Sequence, residues 1–367
     1  MLSKHEQRRY ARHLILPEVS VEGQEKLKQA KALIVGAGGL GCPSAIYLAA
    51  AGVGTIGIAD FDKVEESNLQ RQILYSEEDI GKLKTAAIKK QLEKINKNIE
   101  IKTHNEKLTS KNALEAIKDY DLVIDGSDNF PTRYLVNDAC VLANKPSVYG
   151  SVFRFDGQAS VFNYKNGPYY RCLFPNPPPQ DAIPNCAEVG VLGVLPGIIG
   201  IVQATEAIKI ILGKGNVLAG RYLVYNALSM EFKELKLNKN KDCRICGKNP
   251  EIKELIDYEQ FCGADNEDNI TAKELKEMID NKEDFELIDV REKMEYDSEN
   301  IKNSKLVPLS EIKNNNFGEL DDIDKNKKIV LYCRVSGRSS LVQKMLKEKG
   351  YSNVKNLSGG IAAWING

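Results

Sequence analysis

Between Lys31 and Gly150, short apolar runs alternate with segments of helical periodicity. Ala32 to Val35, Thr55 to Ala59, Ile99 to Thr103, Leu122 to Ile124 and Ser147 to Val148 read as strands, with helices over Cys42 to Ala51 and Thr85 to Asn96 among them. This alternation predicts the α/β class: a doubly wound, Rossmann-like, mainly parallel sheet that binds its ligand at the strands' carboxyl ends. Three more extended segments, Gly157 to Tyr164, Gly220 to Asn226 and Glu231 to Leu237, flank a long apolar helix and predict an extension of the sheet. The apolar run Val189 to Leu212 is long enough to suggest a membrane span. It carries Pro196, Gln203, Glu206 and Lys209, which favour a buried or amphipathic helix.

The stretch from Phe174 to Gln180 holds four prolines, so it can be neither helix nor central strand and predicts an exposed, semi-rigid connector leading to Cys186. Polar and acidic residues dominate from Cys262 to Thr271. A new βα rhythm then starts, with strands over Glu286 to Val290, Lys328 to Tyr332 and Val354 to Leu357. The expected organisation is a first domain over residues 1–246, a flexible interdomain segment over 247–268 and a smaller α/β domain over 269–367.

Composition narrows the partners. The 367 residues include 51 acidic and 51 basic ones, so no net field draws the chain to nucleic acid or an anionic membrane. The chain has no charged-then-apolar leader, which predicts a cytoplasmic protein. In that compartment its eight cysteines imply chemistry, metal or packing rather than structural disulfides. The three histidines lie beside no nucleophile in sequence, which argues against a histidine-dependent hydrolase.

The first strand runs into Gly36-Ala37-Gly38-Gly39-Leu40-Gly41 and then a helix, an arrangement that by itself suggests a dinucleotide site. The residues beyond that helix point elsewhere. Asp60 ends the second strand, where its carboxylate can accept ribose hydroxyls. Asn68 and Arg71 lie in the next turn, Lys84 at a helix start, and Asp128-Asn129 after the strand ending at Ile124. Two cations and a strand-end acid describe a triphosphate and its Mg²⁺, so Gly38, Gly39, Gly41, Asp60, Asn68, Arg71, Lys84, Asp128 and Asn129 are the expected ATP site, with Asp128 on magnesium.

These residues, in this order, resemble the ubiquitin-activating-like adenylyltransferases of the MoeB/ThiF type. The resemblance starts at Arg9-Tyr10-Ala11-Arg12-His13-Leu14-Ile15-Leu16 and runs through the glycine turn, Ser67 to Gln72, Asp128-Asn129 and Pro131-Thr132-Arg133-Tyr134. It continues over Cys186 to Gly193 and Asp257 to Gly263. It implies ATP-dependent adenylation of the C-terminal Gly-Gly of a ubiquitin-like sulfur-carrier protein. It also implies a homodimer in which Arg12 reaches the phosphates of the neighbouring subunit, and a catalytic role for Arg71.

The remaining chemistry lies in three kinds of cysteine. Cys243 and Cys246 have the spacing that lets two thiolates face one Zn²⁺. The resemblance implies a second such pair ahead of the proline stretch, but here that segment reads Tyr169-Tyr170-Arg171-Cys172. Cys172, Cys243 and Cys246 therefore make a three-thiolate set, and both zinc binding and loss of the metal stay open. Cys186 precedes the apolar helix, where the dipole favours a thiolate; the resemblance implies covalent attachment to the activated carrier. Cys333 ends the strand Ile329 to Tyr332 and opens the loop Cys333-Arg334-Val335-Ser336-Gly337-Arg338, ahead of a helix over Ser339 to Lys349. Backbone N–H groups of such a loop can converge on one sulfur anion. With Asp289-Val290-Arg291 and Leu357-Ser358-Gly359-Gly360 before Trp364, the chain after Thr271 resembles a rhodanese domain. The resemblance implies Cys333 as the sulfur carrier, cradled by the loop through Arg338, with Asp289 and Arg291 supporting the fold. Cys42 and Cys140 read as packing residues.

The combined expectation is a two-step enzyme in which MgATP activates the carrier and persulfide sulfur from Cys333, loaded by a donor such as a cysteine desulfurase, yields a thiocarboxylate. Cys186 either holds the acyl group or resolves the resulting disulfide. The product would feed molybdopterin, thiamine, cysteine or thiolated-tRNA synthesis. Two other readings remain: an NAD-dependent oxidoreductase fused to a sulfur-binding domain, which leaves Arg71, Lys84 and Asp128 without a role, and a non-catalytic binder of a ubiquitin-like partner.

Overall fold

The computed structural model describes residues 1–178, 190–262, 268–314 and 316–366. The chain forms two compact units, one comprising Met1–Asn176 with Val191–Tyr258 and the other continuing from Glu259.

The first unit is built on an eight-stranded sheet in the order β3-β2-β1-β4-β5-β6-β7-β8. Its strands are β1 (Lys31–Val35), β2 (Thr55–Ala59), β3 (Glu100–His104), β4 (Leu122–Asp125), β5 (Ser147–Phe153), β6 (Asp156–Phe162), β7 (Arg221–Asn226) and β8 (Glu231–Lys236). The first five pair in parallel, and β5 to β8 pair antiparallel as the sheet extension. The parallel core is apolar on both faces: Leu33, Ile34, Ile56, Ile58, Val123 and Ile124 are all fully buried. The helix Gly41–Ala51 is rich in alanine and packs closely, ending at left-handed Gly52, whose N–H returns to the Leu48 and Ala49 carbonyls.

The long apolar helix is Val194–Leu212, long and apolar enough by length and composition to cross a membrane. In the fold it lies on Gly41–Ala51, β5 and β6. Its polar residues serve as internal ties: Gln203 Nε2 donates to the Asp125 and Val148 carbonyls, and Glu206 accepts from the Leu218 N–H.

Residues 247–258 differ from the flexible segment expected there. Ile252 and Tyr258 are buried, and Ile252 joins Cys243 and Ile245 in a small apolar cluster. The reason lies far away in sequence. Asp138 receives a bidentate guanidinium from fully buried Arg171 and the Tyr258 hydroxyl at 2.8 Å, so Tyr258 completes a buried charged knot. Asp138→Ala leaves the Arg171 charge without its partner, and is expected to cost about 3–5 kcal/mol in urea unfolding. Residues 263–267, in the remainder of the expected segment, lie outside the described residues.

The second unit holds a parallel five-stranded sheet in the order β11-β10-β12-β13-β9. The strands are β9 (Asn269–Ile270), β10 (Glu286–Asp289), β11 (Lys305–Leu306), β12 (Ile329–Tyr332) and β13 (Val354–Leu357). β12 is buried along its whole length, and the helix Gly337–Glu348 packs on it and on β13.

Candidate functional sites

In the first unit, three loops leave the carboxyl ends of neighbouring strands β2, β1 and β4. The Gly36 N–H donates to the Ala59 carbonyl and the Gly126 N–H to the Val35 carbonyl, which stitches the loops side by side. The strand order turns back between β1 and β4, the position at which open parallel sheets form a binding crevice.

The glycines of the turn do different work. Gly36 has φ 91°, and a Cβ on Gly41 would fall 1.9 Å from the Gly36 carbonyl oxygen, so both are required by the turn itself. Gly38 has neither constraint, since the nearest atom to an added Cβ is Gln72 Nε2 at 3.8 Å. Its bare backbone leaves open space beside the helix start.

The Ser67 to Gln72 segment covers this turn. Arg71 Cγ lies 3.5 Å from where a Gly39 Cβ would sit, and its guanidinium donates to the Ser67 carbonyl at 2.8 Å. Asn68 is buried and accepts the Glu65 N–H. Gln72 is buried and its Oε1 has no hydrogen-bond partner among the described residues. An unfilled acceptor on a side chain whose Nε2 lies beside the open glycine marks Gln72 as a candidate that its place in the motif could have signalled.

Asp60 accepts the Ala37 N–H and the Asp62 N–H at 2.8 Å each. Burial raises its pKa, against the opposing charge of Lys84. Lys84 is itself buried and pairs with Asp62 at 2.8 Å. Burial alone would lower its pKa, but Asp60, Asp62 and Asp128 together raise it, so the ammonium is held charged. Asp128 is exposed, immediately before the helix Phe130–Leu142. Asn129 caps that helix, its Oδ1 accepting the Thr132 N–H at 2.9 Å. Its side chain thus has a structural task besides the nucleotide role expected of it.

Two residues near Asp128 were absent from the expected set. Asp125 is buried, accepts both the N–H and the hydroxyl of Ser127, and has its pKa raised by burial. Arg133 lies 5.7 Å from the centroids of both Phe130 and Tyr149, donates to the Ser127 carbonyl, and keeps a buried Nε without a hydrogen-bond partner among the described residues. The sequence signal was present in Asp125-Gly126-Ser127-Asp128 and Arg133, but their convergence depends on the helix turning back over β4.

Arg12 is exposed and is not brought to this crevice. Its neighbours are tied to the far end of Gly41–Ala51: Tyr10 lies against Gly52, and His13 reaches Ala51 through Gln24. An eleven-residue helix places that end about 16 Å from the glycine turn.

Cys42 lies beneath the turn, with its thiol pushed up to about 12 by burial, and Cys140 is fully buried. Both are packing residues. Cys172, Cys243 and Cys246 converge, with all three sulfurs within 4.8 Å of one another and Cys172 and Cys246 3.4 Å apart. The neighbouring thiols donate to the Cys243 sulfur and depress its pKa. Three sulfurs this close suit a thiophilic ion with Zn–S bonds of about 2.3 Å. Tyr169 donates its N–H to Cys172 Sγ, and the Lys239 ammonium lies 4.9 Å from its ring centroid. Among the described residues no fourth His, Cys, Asp or Glu joins the group. Cys186 lies outside the described residues.

In the second unit Cys333 succeeds β12 and is fully buried. Its sulfur accepts the Ser336 N–H at 3.2 Å and the Ser339 hydroxyl at 3.4 Å. Its carbonyl accepts the Ile361 N–H, and that of Arg334 the Ala362 N–H, so the helix Gly360–Asn366 holds the loop from behind. The helix after the loop starts at Gly337, two residues earlier than expected, which places Arg338 in its first turn. Arg338 forms a bidentate pair with Glu295, at 2.6 and 2.7 Å, and that contact holds the Glu295 carboxyl below its ordinary range. Asp289 and Arg291 form a buried bidentate pair, and Arg291 also donates to the Glu299 carbonyl, bracing the end of β10.

Comparison with known proteins accounts for both units. The ThiF family profile matches residues 10–245, and the rhodanese-like domain profile matches residues 271–366. The chain is 46% identical over 377 residues to a probable adenylyltransferase/sulfurtransferase MoeZ of Mycobacterium tuberculosis, covering 99% of this chain and 94% of that protein. It is 44% identical to the adenylyltransferase and sulfurtransferase MOCS3 of Culex quinquefasciatus, covering 99% and 88%. A sulfur carrier protein adenylyltransferase of Thermus thermophilus is 52% identical over 266 residues, 71% of this chain and 98% of that protein. The crystal structure of E. coli MccB with MccA-N7isoASN shares the fold, with a TM-score of 0.59 at 24% identity over 67% of this chain and 76% of that one. The chain belongs to the ThiF family, extended by a rhodanese-like domain, and is an ATP-using adenylyltransferase and sulfurtransferase.

Proposed function

We propose that the crevice above β1 activates the C-terminal Gly-Gly carboxylate of a ubiquitin-like sulfur carrier and that Cys333 delivers the sulfur. The observation that carries this reading is the convergence of Lys84, Arg71, Asp60 and Asp128 on a glycine turn with open space at Gly38. In the first step a carboxylate oxygen of the carrier attacks the α-phosphorus of ATP, forming acyl adenylate and releasing pyrophosphate. Lys84 and Arg71 neutralise the phosphates, Asp60 accepts the ribose hydroxyls, and Asp128 would hold the magnesium that offsets the remaining charge. Asn68 and the backbone N–H groups of Gly38, Gly39 and Gly41 would complete the phosphate site. Arg12, held away from its own crevice, would serve that of a second subunit in a homodimer.

In the second step the persulfide anion on Cys333, loaded by a cysteine desulfurase, attacks the acyl carbon and AMP leaves. A thiolate, assigned to Cys186, then attacks Cys333 Sγ and breaks the sulfur–sulfur bond. The carrier departs as a thiocarboxylate and a Cys186–Cys333 disulfide remains, which a dithiol reductant returns to two thiols with two electrons. On this reading the thiocarboxylated carrier would serve molybdopterin, thiamine or related sulfur-transfer synthesis in the cytoplasm. Carrier-dependent exchange of labelled pyrophosphate into ATP tests the first step, and exchange that is indifferent to a Gly-Gly carrier defeats it.

Cys172, Cys243 and Cys246 would hold one zinc ion, whose contribution is structural cross-linking of the segment after β8 to the segment before the proline stretch. About one zinc per chain is expected in purified protein. Its chelation should lower the melting temperature by a few degrees, and Tyr169→Cys should make the metal harder to remove. Metal analysis and thermal melting with a chelator check both.

A further inference from the structure

Ser336 has φ 98° and ψ −28°, in the left-handed region that a serine seldom enters. A residue held in such a conformation must be restrained by its surroundings. Here the restraint is visible: the Ser336 hydroxyl donates to the Leu357 carbonyl at 2.9 Å and accepts the Gly359 N–H at 2.7 Å. Those two partners belong to the end of β13 and the loop after it, so the side chain pins the Cys333 loop to the neighbouring strand. The Ser336 carbonyl is held as well, by the Ser339 hydroxyl and the Ser340 N–H. With both ends of the residue tied, its own N–H points at Cys333 Sγ, 3.2 Å away.

We propose that Ser336 is a positioning residue for sulfur transfer, its hydroxyl tether holding a strained backbone that aims the N–H at the Cys333 sulfur. The inference rests on Cys333 as the sulfur donor, but its test reads the thiol itself. An alanine at 336 keeps the cost of the left-handed backbone and loses the tether. The peptide plane relaxes, because the helix Gly337–Glu348 beyond it is packed on β12 and β13 and resists displacement. A glycine adopts the left-handed conformation freely and needs no tether.

The experiment is peptide-resolved mass spectrometry of iodoacetamide alkylation at Cys333 in the full chain, across a pH series, with thermal melting alongside. Ser336→Ala is expected to slow alkylation near neutral pH about tenfold, the effect of losing one hydrogen bond to an anion, and to displace the profile to higher pH. Ser336→Gly should stay within about twofold of the native rate, because the backbone geometry survives. A native rate in the alanine variant overturns the proposal, as does a glycine variant as slow as alanine. If the alanine variant melts far below the native protein, the glycine variant decides alone: a native rate supports the backbone account and a slow one overturns it. Failure of the underlying reading is separate, since Cys333→Ala would then still yield thiocarboxylate whatever the alkylation rates.

Discussion

Cys333→Ala is expected to abolish thiocarboxylate formation on the carrier while leaving carrier-dependent pyrophosphate exchange within about twofold of native. The separation arises from where the groups lie. Every residue assigned to the adenylation chemistry in one subunit sits on the loops after β1, β2 and β4, whereas Cys333 succeeds β12 of a different sheet. The variant should also fold normally, because deleting one sulfur at a loop start leaves β12 and the Asp289–Arg291 brace intact. Intact-mass measurement of the carrier after incubation with ATP and a persulfide donor reads the first quantity, and labelled pyrophosphate the second. Loss of exchange in this variant would mean that the two activities are not divided between the two domains.

Lys84→Met gives the opposite pattern. Pyrophosphate exchange is expected to fall about 10²- to 10³-fold, the usual consequence of removing one preorganised charge from a site of developing negative charge. Persulfide loading of Cys333 should be unchanged. Lys84 offsets Asp60, Asp62 and Asp128 in the absence of nucleotide, so its removal leaves three carboxylates around a site that must accept a triphosphate. Methionine keeps most of the buried volume, and thermal melting separates a catalytic loss from a folding one. A rate within a few-fold of native would remove Lys84 from the phosphate site.

The fold class was legible because the central strands β1, β2 and β4 are short apolar runs buried on both faces, a pattern carried by the order of residues along the chain. The glycine turn, Asp60, Lys84 and Asp128 were legible as residue types at strand and helix ends. What escaped depends on distant partners. The three-way contact of Asp138, Arg171 and Tyr258 joins segments 33 and 120 residues from Asp138, so nothing local to 247–258 announces that it packs. The orphaned Gln72 acceptor and the buried Asp125 and Arg133 become visible only when the loops after β1 and β4 lie side by side. Ser336 reads in sequence as an ordinary loop serine; its backbone conformation is imposed by Leu357 and Gly359, which arrive from the next strand. Asn129 shows the converse, a polar residue expected at the nucleotide whose carbonyl oxygen caps a helix.

The most direct measurement of the central claim is the intact mass of a Gly-Gly-ended ubiquitin-like carrier after incubation with this protein, MgATP and a persulfide donor. The expected result is a carrier heavier by one oxygen-to-sulfur exchange, formed only when ATP and Cys333 are both present. A carrier that gains sulfur without ATP, or that is never activated by ATP at all, would contradict the account.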